Sequence, residues 1–285
     1  MGARQGESDY ARCIMAPSPF RRLSATASPP QRATARIAIS FNGDAALKSR
    51  AEKLARELAL PLAITGAADS ELQLVLTNEH LELRDCRDAR LGPVRVDFSH
   101  LDLRPYSANL SRRQPLARAF GKKARTIVDA TAGYAQDALL LALMGFRVTA
   151  IERSPEVTAL ARDGLRRLAA PTGTTLTGRL ELVDGDTRAL LSAIAPRPDA
   201  VYLDPMFPPK RRKSAAVKKE MRLLRELVGD DTDAPELLEI SRGIARDRVV
   251  VKRPDDAPPL APDPSMSLTG KLVRYDVYLS RKQIK

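Results

Sequence analysis

The chain has 285 residues, enough for one large domain or two smaller ones. Its 47 Lys and Arg against 35 Asp and Glu give a formal charge of +12, which favours an anionic partner, most simply nucleic acid. No run of about 18 apolar residues predicts a membrane span. Cys13 and Cys86 lie far apart and His80 and His100 lack ligand-like company, which speaks against a metal site or a disulfide framework and for a reducing, cytoplasmic setting.

Residues 1–33 are rich in Ala, Ser, Pro and Arg without apolar periodicity, and read as a disordered tail. Residues 34–103 read as a small α+β domain. Arg36–Phe41 alternates like a strand, and Ala45–Leu60 carries Leu47, Ala51, Leu54, Ala55 and Leu58 at helical spacing. Leu72–Thr77, His80–Arg84 and Val94–Phe98 read as short strands. Arg104–Arg125 has no acidic residue but carries Arg104, Arg112, Arg113, Arg118, Lys122, Lys123 and Arg125. Solvated faces usually mix both signs, so this strip is expected to grip an RNA backbone rather than serve as a plain connector.

From Thr126 strands and helices alternate. Strands are expected at Thr126–Asp129, Arg147–Glu152, Leu180–Val183, Ala200–Asp204, Arg248–Lys252 and Lys271–Leu279. Helices are expected at Ala135–Met144, Pro155–Leu168, Thr187–Ile194, Ser214–Val228 and Ala234–Ala245. This order predicts an α/β domain over 104–285, with a mostly parallel sheet covered on both faces.

Ligands in such sheets sit at the carboxyl ends of the strands. Asp129 ends the first strand, and Gly133 in the following turn lets backbone approach a ligand closely. Glu152 ends the next strand, where a carboxylate can accept from both ribose hydroxyls. Asp186, after the third, can accept from an adenine amine. Thr131 and Ala135 occupy two positions where a dinucleotide loop needs glycine, which argues against NAD and for a cofactor without phosphate, such as S-adenosylmethionine. Singly, Glu152 and Asp186 read equally well as turn or cap carboxylates.

Residues Val201–Lys213 concentrate the chemistry. A buried strand ends at Asp204, Pro205 and Pro208 stiffen the exit, Phe207 offers a stacking ring, and Lys210, Arg211, Arg212 and Lys213 follow as a cationic block. These parts can hold a nucleobase and methylate its amino group. Asp204 and the Pro205 carbonyl can accept the amine protons, and Phe207 can stack on an extruded base. Lys210, Arg211, Arg212, Lys213, Lys218, Lys219, Lys252 and Arg253 are candidate phosphate contacts. Bland readings are a strand end followed by a solvated turn, or a methyltransferase fold that binds RNA without activity. An amino-group methyltransferase acting on DNA or adenine also fits the site.

Val128–Asp137, Glu152-Arg153, Tyr202–Pro208, Val217–Arg222, Leu227–Gly229 and Val249–Pro254 resemble the bacterial ribosomal RNA small-subunit methyltransferase J family. The resemblance implies a Rossmann-like class I methyltransferase sheet with an antiparallel C-terminal strand. It implies methyl transfer from S-adenosylmethionine to the N2 amine of a guanosine in 16S ribosomal RNA, with free RNA or a ribosomal particle as partner. By motif it points to Gln136, Asp137, Glu152, Arg153, Asp186, Thr187 and Asp204 as cofactor contacts. Ala135 and Gln136 stand where relatives usually carry glycine then arginine, and Ser107–Ser111 where they tend to carry a glycine run.

Overall fold

The computed structural model describes residues 36–63, 70–88, 90–104, 107–172, 176–206, 215–229 and 231–281. The expected tail therefore lies outside the described residues, as do Phe207 and Lys210–Lys213.

A three-stranded sheet opens the described chain. β1 (Ile37–Phe41) pairs parallel with β2 (Leu72–Leu76), which pairs antiparallel with β3 (Leu81–Asp85). α1 (Ala45–Leu58) lies between β1 and β2 in sequence. The Asp44 carboxylate starts this helix by accepting from Leu47 N–H at 3.0 Å. Ala59, in the left-handed region at φ 51°, ends it. The expected strand at 94–98 shrinks to one bridge, Leu83 to Val94. Pro93 has no N–H for a ladder, and beyond Val94 the chain turns onto the helix that carries Gly164. The Val96 carbonyl there accepts from the Arg167 guanidinium instead of a strand.

A 3₁₀ turn (Ala108–Leu110) and the short α2 (Pro115–Ala119) lead into the main sheet. Its strands are β4 (Thr126–Asp129), β5 (Arg147–Glu152), β6 (Leu180–Asp184), β7 (Ala200–Leu203), β8 (Arg248–Pro254), β9 (Met266–Thr269) and β10 (Val273–Leu279). They lie in the order β6-β5-β4-β7-β8-β10-β9. β4 to β8 run parallel, and β10 runs antiparallel to both its neighbours. The helices are α3 (Gln136–Leu143), α4 (Pro155–Thr172), α5 (Thr187–Ala193), α6 (Ala215–Val228) and α7 (Ala234–Ile244). β9 is the strand the sequence pattern missed. It is short and mostly exposed at the sheet edge, so burial imposes no alternation on it.

Alternate side chains of the strands enter two cores, as a covered parallel sheet requires. Ile127, Tyr202 and Val250 face one side with α3, α4 and α6. Val128, Val201, Val249 and Val251 face the other with α5 and α7. The first core continues into Ile39, Leu74 and Leu83 of the small sheet, so the two units share one apolar interior. Asp85 on β3 binds Arg222 of α6 at 2.8 Å, and Arg87 binds Glu226 at 2.6 Å across the same seam.

Candidate active site

The order of the sheet reverses between β4 and β7, and the carboxyl ends of these two adjacent strands carry Asp129 and Asp204. This is the crevice position where open α/β sheets bind ligands. The β4–α3 loop beside it is tied down at several points. Asp129 Oδ1 accepts from Thr131 N–H at 3.2 Å, and Ala132 N–H donates to Ile151 O at 2.9 Å. The Thr187 hydroxyl donates to Ala130 O at 3.0 Å. Gly133 (φ 52°) and Ala135 (φ 61°) both adopt left-handed backbone. A side chain at Gly133 would meet nothing nearer than Leu224 at 4.0 Å, so this turn faces open space.

Glu152 ends β5 with 3% exposure. Its two carboxylate oxygens accept from Gly133 N–H and Ser154 N–H, each at 2.8 Å. Burial pushes this carboxyl up, while the two backbone donors hold it down. The residue therefore fixes the distance between β5 and the glycine turn, and it lies beside any group seated on that turn. Arg153, next in sequence, is drawn across the crevice to Asp231 and Asp233, both at 3.1 Å. Asp231 in turn accepts from Met206 N–H at 2.6 Å.

Asp204 sits at the centre of a charged chain. Its backbone N–H donates to Thr131 Oγ1 at 2.7 Å. Its carboxylate lies 2.9 Å from the Lys252 ammonium, which also binds Asp137 at 2.8 Å. The Tyr202 hydroxyl, on a side chain buried in β7, donates to the same Asp137 oxygen at 2.6 Å. Burial pushes the Asp204 carboxyl up, Lys252 pulls it down, and Asp137 pushes it up again. Burial opposes the Lys252 ammonium, but Asp204 and Asp137 together hold its pKa well above the ordinary lysine range. The Asp204 side chain keeps 38% exposure, so its carboxylate faces the crevice rather than the apolar core.

Asp129, Gly133, Asp137, Glu152, Arg153, Thr187, Asp204 and Pro205 thus converge along the ends of β4, β5 and β7. Gln136 stands exposed in the first turn of α3. Asp186 caps α5 by accepting from Arg188 N–H at 3.0 Å and pairs with the Arg188 side chain at 3.2 Å. That geometry is the capping role the sequence also allowed. Two proposed phosphate contacts are corrected. Lys252 points inward to the two carboxylates, and Arg253 is 6% exposed with its guanidinium on Pro258 O. The Lys252 charge is met by two carboxylates and the Arg253 guanidinium is buried, so neither is displayed as an outward phosphate contact. Lys218 and Lys219 fall in the first turns of α6. The sequence pattern did not bring forward Thr131 or Tyr202 as site residues. A buried tyrosine normally needs a partner for its hydroxyl, and that was the available signal.

A family model described as "Putative SAM-dependent methyltransferase" matches residues 54–280. A ribosomal RNA small subunit methyltransferase J from Thioalkalivibrio sulfidiphilus is 47% identical over 253 residues, covering 86% of this chain and 98% of the relative. One from Coxiella burnetii is 44% identical over 252 residues, covering 85% and 96%. The chain belongs to the ribosomal RNA small subunit methyltransferase J family. A crystal structure of an SAM-dependent methyltransferase from Neisseria gonorrhoeae superposes with a TM-score of 0.64 at 28% identity, covering 87% of this chain and 98% of that one. The Rossmann-like class I sheet and the S-adenosylmethionine cofactor expected for the family follow.

The crevice residues fit that cofactor. Open space at Gly133 admits a nucleoside close to backbone, with the Glu152 carboxylate directly behind it. Asp137 and Asp204 outnumber the Lys252 ammonium, which leaves a negative bias suited to a sulfonium. Among the described residues no cluster of His, Cys, Asp and Glu could hold a metal ion, and no helix is long and apolar enough to cross a membrane.

Proposed function

We propose that this family member methylates the N2 amine of a guanosine in 16S ribosomal RNA. One observation carries the reading: the Asp204 carboxylate stands at the switch point, anchored through its own backbone to Thr131 and through its side chain to Lys252, and open to the crevice. S-adenosylmethionine supplies the methyl group when bound. The lone pair of a guanine N2 amine is delocalised into the ring, so the amine is a poor nucleophile until it is aimed. Asp204 accepts a hydrogen bond from the amine and directs the lone pair. As positive charge develops on nitrogen, the carboxylate stabilises it and takes the surplus proton. Thr131 fixes the backbone from which Asp204 reaches, and Lys252 fixes the carboxylate plane. Phe207, three residues on, is the proposed stacking partner for the extruded base, which offsets the few kcal/mol that unstacking costs. Lys210, Arg211, Arg212 and Lys213 are the proposed phosphate contacts beside it, with Lys218 and Lys219 on α6.

The test is transfer of labelled methyl groups to small-subunit RNA from a strain lacking this protein, followed by mapping of the product nucleotide. Asp204→Ala is expected to abolish transfer while the thermal transition stays cooperative. Near-normal turnover in that variant removes Asp204 from the mechanism. A product methylated elsewhere than guanine N2 overturns the assigned nucleophile.

A further inference from the structure

The strip around residues 104–125, read from sequence as RNA-gripping, ends at the opposite end of the parallel strands from Asp204. Arg125 immediately precedes β4, four residues before Asp129, which places it about 13 Å away at the amino end of the same strand. Its neighbours there extend the positive charge. Arg147 N–H donates to Arg125 O at 2.8 Å, and Val148 N–H donates to Arg179 O at 2.7 Å. Arg125, Arg147 and Arg179 therefore stand at the starts of three adjacent strands, all exposed. Exposed Lys122, Lys123 and Arg113 flank the row. Burial, and then the nearby Arg125 charge, push the Arg112 guanidinium down, and that group is laid over the Phe146 ring at 3.9 Å.

Among the described residues Arg113, Lys122, Lys123, Arg125, Arg147 and Arg179 make no ion pair. The nearest carboxylates are otherwise engaged or apart. Asp199 accepts from Arg125 N–H and Thr126 N–H at 2.8 and 3.0 Å and pairs with Arg246 at 3.7 Å. Asp247 pairs with Arg248 at 2.6 Å. Glu181, two residues after Arg179, forms no ion pair among the described residues. Other exposed arginines, Arg84, Arg90, Arg162 and Arg166, are each held by a carboxylate, while Arg50 and Arg56 on α1 make no ion pair among the described residues. The Arg125 guanidinium donates to Lys122 O and Ala124 O at 3.2 and 3.0 Å, so its charge, like that of Arg147 and Arg179, has no carboxylate partner among the described residues. A row of cations without counter-charge matches a phosphodiester backbone, which offers anionic oxygens repeatedly.

We propose that the amino edge of the sheet, from Arg113 to Arg179, is a second RNA-backbone contact, remote from the active site. It rests on the reading of small-subunit RNA as substrate and adds to it how that substrate is held. The RNA reaches both ends of the parallel strands, so it is recognised as a folded body and not as a short strand around the target base.

The test compares full-length unmodified 16S transcript binding for wild type and for Lys122→Gln/Lys123→Gln/Arg147→Gln. A control, Lys48→Gln/Lys53→Gln/Arg56→Gln, removes the same charge from exposed positions of α1. The edge variant should flatten the plot of log affinity against log salt by about 2–3 units, which shrinks the affinity loss between about 50 and 200 mM salt by roughly 40-fold. Its turnover at saturating RNA stays at the wild-type value, because none of the three touches the crevice. An unchanged slope, or an equal flattening in the control, overturns the proposal. The slope is a binding measurement, so it judges the edge even if no RNA accepts a methyl group, a result that would instead sink the functional reading.

Discussion

Lys252→Met removes the ammonium that lies 2.9 and 2.8 Å from Asp204 and Asp137 and keeps most of the side-chain volume. The groups facing Asp204 are then Asp137 from α3, Asp129 from β4 and Asp231 from the loop before α7, with Tyr202 and Tyr275 behind them. Of these, Asp137 and Asp231 repel its charge. An opposite charge at this distance holds a carboxyl down by about 1–3 pH units, and the exposure of Asp204 places the effect toward the lower end. In the wild-type protein the Asp204 carboxyl already lies above its ordinary value, so methyl transfer is lost as pH falls through that raised value. In the variant this acid limb should move up by about 1–2 pH units. Stability should fall by about 2–3 kcal/mol, between the small worth of an exposed pair and the cost of orphaning a buried one. Because the ammonium pKa is raised, the stabilising part is present throughout the neutral range and is lost only as pH rises through the folded-state value. The assay is kcat/KM for methyl transfer against pH, with urea unfolding alongside. An acid limb that stays in place while stability drops would refute the electrostatic role and leave Lys252 a packing residue.

Asp129→Asn tests the neighbouring carboxylate. Burial, then Asp137, pushes the Asp129 carboxyl well above its ordinary value, so the folded state holds a proton that the unfolded chain has released. Wild-type stability should therefore fall relative to the variant as pH rises above about 4, at a slope of roughly 1.4 kcal/mol per pH unit until the folded carboxyl also ionises. Parallel pH profiles of the two melting temperatures would contradict this. Gly164→Ala should destabilise despite a better helix propensity, by about 1–2 kcal/mol net, since its Cβ would sit 2.7 Å from the Val96 side chain and 3.0 Å from the Val96 carbonyl. A rise in the unfolding midpoint would show that this seam is slack. Ala59→Gly, at an exposed left-handed cap, should add about 1 kcal/mol, or about 2–4 °C in Tm. No gain would mean the cap conformation carries little strain.

The parallel half of the sheet was legible because buried strands announce themselves as short apolar runs, such as Val201–Leu203 and Val249–Val251, closed by polar residues. The acidic strand ends were legible for the same reason. Their partners were not. Lys252 reads from sequence as one more cation before Arg253, and only the pairing of β8 with β7 turns it toward Asp204. Tyr202 reads as core, which it is, yet its hydroxyl crosses to Asp137 on α3. Asp186 reads equally well as a ligand carboxylate or a cap, and its local geometry shows the cap. The basic strip was recognised by its missing carboxylates, but its distance from Asp204 followed only from strand direction.

Asp231 joins two parts of the crevice that sequence keeps far apart, accepting from Met206 N–H while it binds Arg153. The segment leaving β7 is therefore moored to the strand end that holds the glycine turn. The two rims of the crevice thus share one carboxylate, held between Arg153 and Met206, one residue before the ring proposed to receive the base.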